Sequence, residues 1–407
     1  MNIWIIDHYS VPTKYYPLAR NTNFAKKLIE RGHTVKIFAA STVHNSNINL
    51  VNDFLYKEIT EDGVTYILIK CINYKGNGIK RIINILDFSR KLKKVCSFFD
   101  KPDVIISQSM TLNACAEGIK LGKKYKCKKI AQITDLWPET IVAYGLCKKY
   151  NPIVLYLRNL EKWIYLNSDK IIFSMEGAYD YIIEQKWENE IPKNKIAYIN
   201  NGIDINNFDK NINNRIMDKD LDNDDIYKIV YTGSIRKVNN VGILLDVAKN
   251  IEYPNIKFLI WGNGDELNYL KDRIIKEKIE NVVLKGKIDK KNIPYIVRKA
   301  QINIVHATTT HLTRFGISYN KMFDYLAAGK PILTTFNCKY NPSIMHGVGF
   351  EVEKQSVANI ANKIKNIYLL PKSEYDEICS RTKEVAKLYD FDVLTDKLLD
   401  VINSIKV

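Results

Sequence analysis

Short apolar runs alternate with helix-forming segments along the whole chain, and this alternation restricts the possible folds more than any other feature. The apolar runs lie at residues 2–7, 34–40, 104–107, 130–134 and 171–175 in the first half, and at residues 229–232, 257–261, 282–284, 302–305 and 332–335 in the second. Strands separated by helices pair in parallel, because a helical crossover carries the chain back to the same end of the sheet. The sequence therefore predicts an α/β fold with two doubly wound, Rossmann-like domains.

A polar stretch between the two halves predicts the domain boundary. It begins at residues 200–208 and continues to Asp225. We expect a first domain of residues 1–205, a second of residues 206–387, and an active site in the crevice between them. Residues 218–222 resemble a calcium-binding loop only superficially, because the required glycine and final acidic residue are missing. The stretch is therefore predicted to be a solvated linker.

The composition is that of a globular protein with a large positive charge. The 407 residues, 46% of them hydrophobic, are enough for two cores. No apolar run reaches the roughly 18 residues of a membrane-spanning helix, and the start lacks the pattern of a signal peptide, so we expect a cytosolic protein. Seven scattered cysteines indicate reduced thiols rather than disulfides or a zinc site. The net charge of +16 predicts attraction to polyanions, whether nucleic acid, anionic lipid or phosphorylated substrates.

Residues 318–333 join a helix start, a short amphipathic helix, a glycine stop and a new strand, which is the arrangement of a ligand site. Ser318 can cap the helix, so that the first-turn amides face an anion, and Lys321 adds positive charge where the helix dipole favours phosphate. Asp324 lies one turn further along the same face. The preceding apolar run, residues 302–307, places this helix at the carboxyl end of a parallel sheet, where open α/β folds bind ligands.

This segment resembles the donor site of family 4 retaining glycosyltransferases, in which two glutamates separated by seven residues precede a helix ending in Ala-x-Gly-Lys-Pro. Residues 327–331 are Ala-Ala-Gly-Lys-Pro. Asp324 stands at the second acidic position, which the family assigns to the ribose hydroxyls, and Gly316 stands at the first. The resemblance covers nearly the whole chain. It implies the GT-B fold, with two Rossmann-like domains facing a central cleft and a C-terminal helix, residues 388–407, packed back on the first domain.

The start of the chain is similar to the same family. Arg20 opens a helix, and residues 30–37, Glu-Arg-Gly-His-Thr-Val-Lys-Ile, lead into a strand as is common at the beginning of such enzymes. The family usually carries a glycine pair in the loop before this helix, whereas residues 13–17 are Thr-Lys-Tyr-Tyr-Pro. The resemblance therefore implies a bulky wall where backbone usually approaches the donor phosphates or the acceptor.

Residues 134–140, Thr-Asp-Leu-Trp-Pro-Glu-Thr, resemble the subgroup that transfers N-acetylated amino sugars in bacterial polysaccharide assembly. They follow a buried strand, so Asp135 lies at its carboxyl end and can bind the acceptor hydroxyl or accept its proton. The alternative is structural, since Asp135 with Pro138 and Glu139 would also start a helix well.

Residues 231–240 follow the first strand of the second domain, where the family carries Gly-Arg-Leu and then a Lys-Gly pair. Gly233 permits a close backbone approach to a ligand, and Ser234 follows it in the same turn. Arg236 and Lys237 are shifted from the family positions but can reach a diphosphate through a flexible loop. A solvated basic loop is the alternative.

Residues 259–266 and 282–287 resemble the nucleotide-binding region of the family, and they add Gly262 and Lys287 to the predicted donor site. Gly262 and Gly264 lack the third glycine of a dinucleotide fingerprint and lie in the second domain. An oxidoreductase is therefore not expected.

A retaining transfer without a protein nucleophile depends on stabilising the departing nucleoside diphosphate while the acceptor attacks from the same face. Positive charge near that diphosphate is then the main catalytic device. The candidates are Arg236, Lys237 and Lys321, together with the amides of Tyr319 and Asn320. No Asp-x-Asp pair is placed in the predicted cleft, so we expect transfer without a metal or a cofactor, with a UDP-linked sugar as co-substrate.

Residues 79–99 predict a basic amphipathic helix or a helix pair. The expected apolar face consists of Ile82, Ile85, Leu86, Phe88, Leu92, Val95 and Phe99, with Arg81, Arg90, Lys91 and Lys94 nearby. Such a helix suits an anionic membrane surface, where each basic residue contributes roughly 1 kcal/mol. The alternative is an ordinary core-facing helix with a solvated basic edge.

Together these features predict a retaining glycosyltransferase that moves a sugar, with N-acetylated amino sugars as candidates, from a UDP-linked donor to a polyprenyl-diphosphate-linked glycan. The pathway would be bacterial O-antigen, capsule or related polysaccharide synthesis, in the cytoplasm at the inner face of the membrane, without nucleic acid as a partner. Two alternatives remain. One is a nucleotide-sugar 2-epimerase of the same fold, and the other is a non-catalytic basic module that binds membrane or nucleic acid.

Overall fold

The computed structural model describes residues 1–15, 20–44, 46–76 and 78–406. These residues form two compact units, of which unit 1 comprises Met1–Asn200 and Phe391–Val407 and unit 2 comprises Asn201–Asp390. The chain thus passes from unit 1 to unit 2 after residue 200, whereas the sequence predicts this boundary after residue 205. Two predicted features, the bulky loop at residues 13–17 and the helix at residues 388–407, lie partly outside the described residues.

Each unit is a sheet with helices packed on it. The strands are β1 (Asn2–Ile6), β2 (Thr34–Ala40), β3 (Tyr56–Glu61), β4 (Val64–Ile69), β5 (Val104–Gln108), β6 (Lys128–Ile133), β7 (Lys170–Phe173), β8 (Ile196–Tyr198), β9 (Tyr227–Thr232), β10 (Ile256–Trp261), β11 (Val282–Gly286), β12 (Ile302–Val305), β13 (Ile332–Thr334) and β14 (Gly349–Glu351). Unit 1 has the strand order β3-β4-β2-β1-β5-β6-β7-β8, and unit 2 has the order β11-β10-β9-β12-β13-β14. Among these named strands, all pairs except β3–β4 are parallel. This arrangement confirms the predicted α/β fold of two Rossmann-like units.

Helices connect the strands of both sheets. They are α1 (Arg20–Glu30), α2 (Ile79–Cys96), α3 (Leu112–Tyr125), α4 (Glu139–Ala143), α5 (Pro152–Asn167), α6 (Ala178–Glu184), α7 (Ile205–Asn211), α8 (Gly242–Lys249), α9 (Leu267–Lys276), α10 (Ile293–Lys299), α11 (Asn320–Ala328), α12 (Pro342–Met345), α13 (Val357–Tyr368), α14 (Lys372–Lys387) and α15 (Phe391–Asn403). Because helices cover the sheets, strands such as β5 and β10 are buried almost along their whole length and appear in the sequence as continuous apolar runs.

A hairpin in unit 1 was missed by the sequence analysis. Strand β3 pairs antiparallel with β4, and the turn between them consists of Asp62 and Gly63. Both residues have positive φ angles, 50° and 78°, which is the backbone of a two-residue type I′ turn. The Asp-Gly pair was therefore a usable hairpin signal. The short edge strands β8 and β14 were also missed.

The last helix, α15, packs on α1 in unit 1. The rings of Phe24 and Phe391 meet edge to face with centroids 5.3 Å apart. Leu398 is buried in the same core. At the rim, the guanidinium of Arg31 pairs with Asp392 and Asp396 at 3.3 and 2.8 Å. The C-terminal segment is thus part of the core of unit 1.

The predicted solvated linker is wrong, because the segment before β9 packs on unit 2. Leu221 is fully buried, in a cluster that includes Trp261. The ammonium of Lys285 binds the carboxylates of Asp218 and Asp220 at 2.6 and 2.7 Å. A local excess of polar residues predicted a linker, whereas one apolar residue and two ion pairs hold the segment in place.

Helix α2 buries part of the apolar face that was predicted for a membrane. It is one helix, and Phe88, Leu92 and Val95 are fully buried in unit 1. Ile82 and Leu86 of the predicted face are exposed, and together with Ile79 and Ile83 they form an exposed aliphatic stripe. The described residues include no helix of the length and apolar character needed to cross a membrane.

The packing of α15 gives a test of the core of unit 1. Replacing Leu398 with Ala should lower the free energy of unfolding by about 2–5 kcal/mol, because a buried leucine leaves a cavity. Urea unfolding with limited proteolysis of unit 1 would measure the loss. Lys397→Ala, at an exposed neighbouring position, is the matched control. Equal stability of the two variants would contradict the packing.

Candidate functional site

In unit 2, three loops meet at the carboxyl ends of β9, β10 and β11. The N–H of Gly233, after β9, donates to the carbonyl oxygen of Trp261 at the end of β10 (3.0 Å). The N–H of Gly262 donates to the carbonyl oxygen of Gly286 at the end of β11 (2.8 Å). Open α/β sheets bind ligands at this end, so the loops form the candidate donor site.

Gly262 and Gly264 are required by the close approach of two of these loops. A Cβ atom at residue 262 would lie 1.9 Å from the carbonyl oxygen of Gly233. A Cβ atom at residue 264 would lie 2.0 Å from the carbonyl oxygen of Ile235. Backbone atoms cannot move away as a flexible side chain can. Gly262, which was predicted as a ligand contact, therefore lies directly against the backbone of Gly233.

The ammonium of Lys321 lies beside Gly233. Its Nζ atom is 4.0 Å from the centroid of the Tyr231 ring, a cation–π distance. A Cβ atom on Gly233 would lie 2.6 Å from this Nζ, so the missing side chain leaves room for the ammonium. Burial lowers the pKa of Lys321 to about 7. Within the described chain no carboxylate pairs with Lys321, and an anionic ligand would stabilise its charged form.

Asp324 lies one helical turn beyond Lys321 and is half-buried. Burial raises the pKa of its carboxyl group to about 6, against the opposing effect of the Lys290 charge. No other side chain in the described residues forms a hydrogen bond with this carboxylate. A carboxylate with free acceptor oxygens can accept bonds from the hydroxyls of a sugar.

Helix α11 carries both charged residues and is held to β9 by a residue that the sequence analysis missed. The hydroxyl oxygen of Tyr325 accepts a hydrogen bond from the N–H of Thr232 at 2.9 Å, and it lies 3.1 Å from the Thr232 hydroxyl. The helix buries Met322, Phe323 and Leu326 and ends at Gly329, with φ at 62°. This attachment sets the distance between Lys321 and the turn at Gly233.

His306, directly after β12, is a second residue that was missed. Its Nε2 atom is 3.0 Å from the carbonyl oxygen of Asn240, and its Nδ1 atom is 2.6 Å from the hydroxyl of Thr335. Burial lowers the pKa of His306 to about 4, so the ring is neutral near pH 7. Nε2 then donates to the carbonyl and Nδ1 accepts from the hydroxyl. The ring thus ties the end of the basic loop to the sheet.

The basic loop itself reaches solvent. Arg236 and Lys237 are exposed between β9 and α8. The backbone N–H of Lys237 donates to a carboxylate oxygen of Asp265 (3.2 Å), and the Ser234 hydroxyl accepts from Asn239 (2.6 Å). Lys287 is exposed just after β11. Contact of these side chains with a diphosphate stays a prediction.

The predicted cap at Ser318 is wrong. Helix α11 begins at Asn320, its N-cap residue is Tyr319, and no side chain caps it. Ser318 lies one residue before the N-cap position. Its hydroxyl instead accepts a hydrogen bond from the N–H of Asn201 (2.8 Å). The amides of Tyr319 and Asn320 lie at the start of the helix, as expected. Gly316 has φ at 113°, a conformation that a side chain disfavours, so a glutamate there would strain the backbone.

In unit 1, Asp135 follows β6 and is exposed. Helix α4 begins at Glu139 with Pro138 as its N-cap residue, so Asp135 does not cap it. Desolvation by the surrounding protein raises the pKa of Asp135, although the residue as a whole is exposed. Both properties together suit a group at a concave surface that exchanges protons with a ligand.

A buried chain of side-chain hydrogen bonds leads to this position. Asp7 accepts from Asn21 (2.7 Å), and Gln132 donates to both Asn21 and Gln108 (2.9 and 2.8 Å). Gln108 then donates to the hydroxyl of Thr134, next to Asp135 (2.8 Å). The network joins the carboxyl ends of β1, β5 and β6. Each partner is distant in sequence, so the sequence analysis did not detect it.

Among the described residues, no three His, Cys, Asp or Glu side chains are grouped so that they could hold a metal ion. Transfer without a metal stays a prediction from the sequence.

Comparison with known proteins agrees with this architecture. Residues 20–207 match the model of Glycosyltransferase Family 4, and residues 213–387 match that of Glycosyl transferases group 1. The curated proteins contain no match.

Solved structures match over almost the whole chain. Sucrose-phosphate synthase from Thermosynechococcus elongatus superposes with a TM-score of 0.73 at 14% identity, over 99% of this chain and 98% of that chain. HepE from Anabaena in complex with UDP gives 0.69 at 14% identity, over 99% and 100%. The E. coli trehalose-6-phosphate structure bound with UDP-2-fluoro glucose gives 0.73 at 11% identity, over 100% of both chains.

At these identities the structural matches show the fold, which is GT-B. The two family models lie one after the other and leave only short segments unmatched. The protein is therefore a glycosyltransferase of the GT-B fold, with a Glycosyltransferase Family 4 region followed by a Glycosyl transferases group 1 region.

Proposed function

We propose that the protein transfers a sugar, with retention, from a UDP-linked donor to a polyprenyl-diphosphate-linked glycan of a bacterial surface polysaccharide. The observation that carries the donor assignment is the ammonium of Lys321, which lies beside Gly233 and has no anionic partner in the described chain. Similar structures bind such donors, since HepE is described in complex with UDP and with UDP-glucose. The motif at residues 134–140 makes N-acetylated amino sugars the first donors to test.

The donor diphosphate would lie between the turn at Gly233 and the start of α11. Lys321 and the amides of Tyr319 and Asn320 supply positive charge there, and Gly233 lets the phosphates approach its backbone. Arg236 and Lys237 would add charge as the loop closes on the donor. Stabilising the departing diphosphate in this way lowers the barrier without a protein nucleophile.

The ribose would bind one turn further along α11. Asp324 is half-buried and offers unpaired carboxylate oxygens to two hydroxyl donors. Gly262 shapes the same site through its contact with Gly233. Lys287, which follows β11 and is exposed, would contact the nucleotide at the surface of unit 2. In these roles the residues would hold a nucleotide at the carboxyl ends of β9 to β11.

Asp135 would bind the acceptor hydroxyl in unit 1 and accept its proton. A raised pKa makes the carboxylate a better base, and its exposure lets an acceptor reach it. The buried hydrogen bonds that end at Thr134 would hold it in position.

Unit 1 would dock on the inner face of the cytoplasmic membrane through residues 79–99. The exposed stripe of α2 carries Ile79, 74% exposed, at its start, with Arg90 and Lys94 further along. Arg81 and Lys91 are engaged within unit 1, by the Tyr9 hydroxyl and by Asp87. An aliphatic stripe with basic residues beside it suits the boundary between headgroups and acyl chains.

The first test concerns Lys321. Lys321→Ala should lower turnover by roughly two to three orders of magnitude, as expected for the loss of one preorganised charged donor. Transfer from radiolabelled UDP-N-acetylglucosamine to a short acceptor would measure this, and incubation of the donor alone would detect a 2-epimerase. Lys271→Ala, on the exposed face of α9, is the control.

Calorimetry measures proton uptake on UDP binding, which a merely misfolded variant would not reproduce. The pKa of Lys321 is about 7, so at pH 8 most of the ammonium groups are deprotonated. A bound diphosphate raises that pKa, so UDP binding at pH 8 should take up a proton. Titrations in buffers of different ionisation enthalpy should show the uptake in the native protein. If Lys321→Ala takes up the same proton, Lys321 is not the phosphate ligand.

The second test concerns Asp324. Asp324→Ala should weaken UDP binding itself, because the ribose loses its acceptor, and Asp324→Glu should keep part of the affinity. The affinity for UDP is compared with the affinity for pyrophosphate, which has no ribose, so that ribose binding is separated from phosphate binding. A variant that loses both equally, or neither, would show that Asp324 does not hold the ribose.

The third test concerns α2. Replacing Ile82 and Leu86 with Ser should weaken binding to anionic vesicles by roughly tenfold or more, because two exposed aliphatic side chains lose their lipid contacts. Flotation with phosphatidylglycerol vesicles would measure it. Ile275→Ser, on exposed α9 in unit 2, is the control. Unchanged flotation would mean that the stripe does not touch lipid.

A further inference from the structure

A second apolar surface lies on unit 1, outside the predicted membrane helix. It comprises residues 144–156, the loop from α4 to α5 with the first turn of α5. Its large exposed apolar residues are Tyr144, Leu146, Tyr150, Ile153, Leu155 and Tyr156. Leu146 and Tyr150 are 73% and 79% exposed. Water-exposed protein surfaces rarely contain so many large apolar side chains in one segment, so we expect this segment to bind a partner.

We propose that residues 144–156 insert into the headgroup region of an anionic lipid membrane and bring Asp135 to the membrane surface. This inference rests on the proposed transfer to a lipid-linked acceptor. It names a surface of unit 1 that α2 does not include.

The residue types favour lipid over a protein partner. Three of the six exposed side chains are tyrosines, whose amphipathic rings prefer the boundary between water and acyl chains. Lys148 and Lys149 are exposed within the same segment and would contact anionic headgroups. The aliphatic side chains of Leu146 and Ile153 would lie deeper.

The segment is attached to unit 1 by a helix cap, a buried side chain and an ion pair. Asn151 caps α5 by accepting a hydrogen bond from the N–H of Ile153 (2.9 Å). Val154, in the same turn, is fully buried. Arg158 pairs with the buried carboxylate of Glu139 at the start of α4 (2.5 Å). These contacts direct one side of the turn into the core and leave the apolar side in solvent.

The segment lies close to the candidate catalytic carboxylate. The N–H of Thr140 donates to the carbonyl oxygen of Leu136, the residue after Asp135 (2.8 Å), and the N–H of Tyr144 donates to the carbonyl oxygen of Thr140 (3.1 Å), so two consecutive turns connect Asp135 with Tyr144. Strand β4, which precedes α2, runs parallel to β2, and strand β6, which precedes the α4–α5 segment, runs parallel to β5. Helix α3 packs against both α2 and α5. The two apolar surfaces therefore lie on one face of the sheet and at its carboxyl edge, where one membrane can contact both.

The test uses a triple variant of the full chain. Leu146→Ser, Ile153→Ser and Tyr156→Ser together should weaken binding to vesicles of phosphatidylethanolamine and phosphatidylglycerol by about tenfold to a hundredfold. Transfer to a short water-soluble acceptor should stay unchanged, whereas transfer to a lipid-linked acceptor in vesicles should fall. The control is Tyr269→Ser with Ile275→Ser, which removes exposed apolar residues from α9 of unit 2.

Hydrogen exchange on vesicles gives an independent readout. Amides at residues 144–156 should become protected when the native protein binds vesicles, and residues 267–276 should not. If the triple variant binds vesicles as well as the native protein does, the proposal is overturned. This holds even if the α2 variant no longer binds vesicles. Sedimentation showing a dimer that the triple variant loses, with lipid binding intact, would assign the surface to a second copy of the chain. Vesicle binding needs no turnover, so absence of transfer with every donor would refute the proposed function without affecting this result.

Discussion

The candidate donor site depends on how closely the loops of unit 2 approach one another at the carboxyl ends of the parallel strands. Gly262 and Gly264 remove the side chains that would otherwise collide with the carbonyl groups of Gly233 and Ile235. With those contacts made, the turn at Gly233 lies where the ammonium of Lys321 can reach it. A change at either glycine would therefore displace the charged group that the proposed transfer needs, although neither has a side chain to offer a ligand.

Burial shifts the pKa values of both charged groups of the candidate site toward neutral pH. Burial moves the pKa of Lys321 down to about 7 and that of Asp324 up to about 6. Burial makes both charges costly, and a ligand that supplies the matching group would make them favourable. Neutral His306 and the phenol of Tyr325 provide the rigid frame without adding charge. A site of this kind binds an anion without first breaking an internal salt bridge.

Unit 1 combines a polar interior beneath Asp135 with apolar side chains at its surface. Its buried amides and the carboxylate of Asp7 satisfy one another in a connected network, which is the condition for burying so many polar groups. The surface of α2 and residues 144–156 leave aliphatic and aromatic side chains in water. Both lie near the carboxyl edge of the sheet, where Asp135 follows β6. The proposed transfer to a lipid-linked acceptor would use these properties together.

The sequence by itself determined the two parallel sheets, since buried strands of this type appear as short apolar runs whatever their neighbours are. It also determined the short helix with Lys321 and Asp324, because glycine and proline end that helix locally. The turn of the β3–β4 hairpin is likewise determined locally, by Asp62 and Gly63.

Tertiary structure decided the rest, because the outcome depended on contacts between distant residues. Helix α2 has apolar residues on two faces, and only packing against the sheet showed that the stripe with Phe88 is core and the stripe with Ile82 is exposed. The segment at Leu221 looked solvated until its ion pairs with Lys285 were formed. Tyr325 and His306 gained their roles from partners some 93 and 66 residues away, Thr232 and Asn240, which no local pattern can reveal.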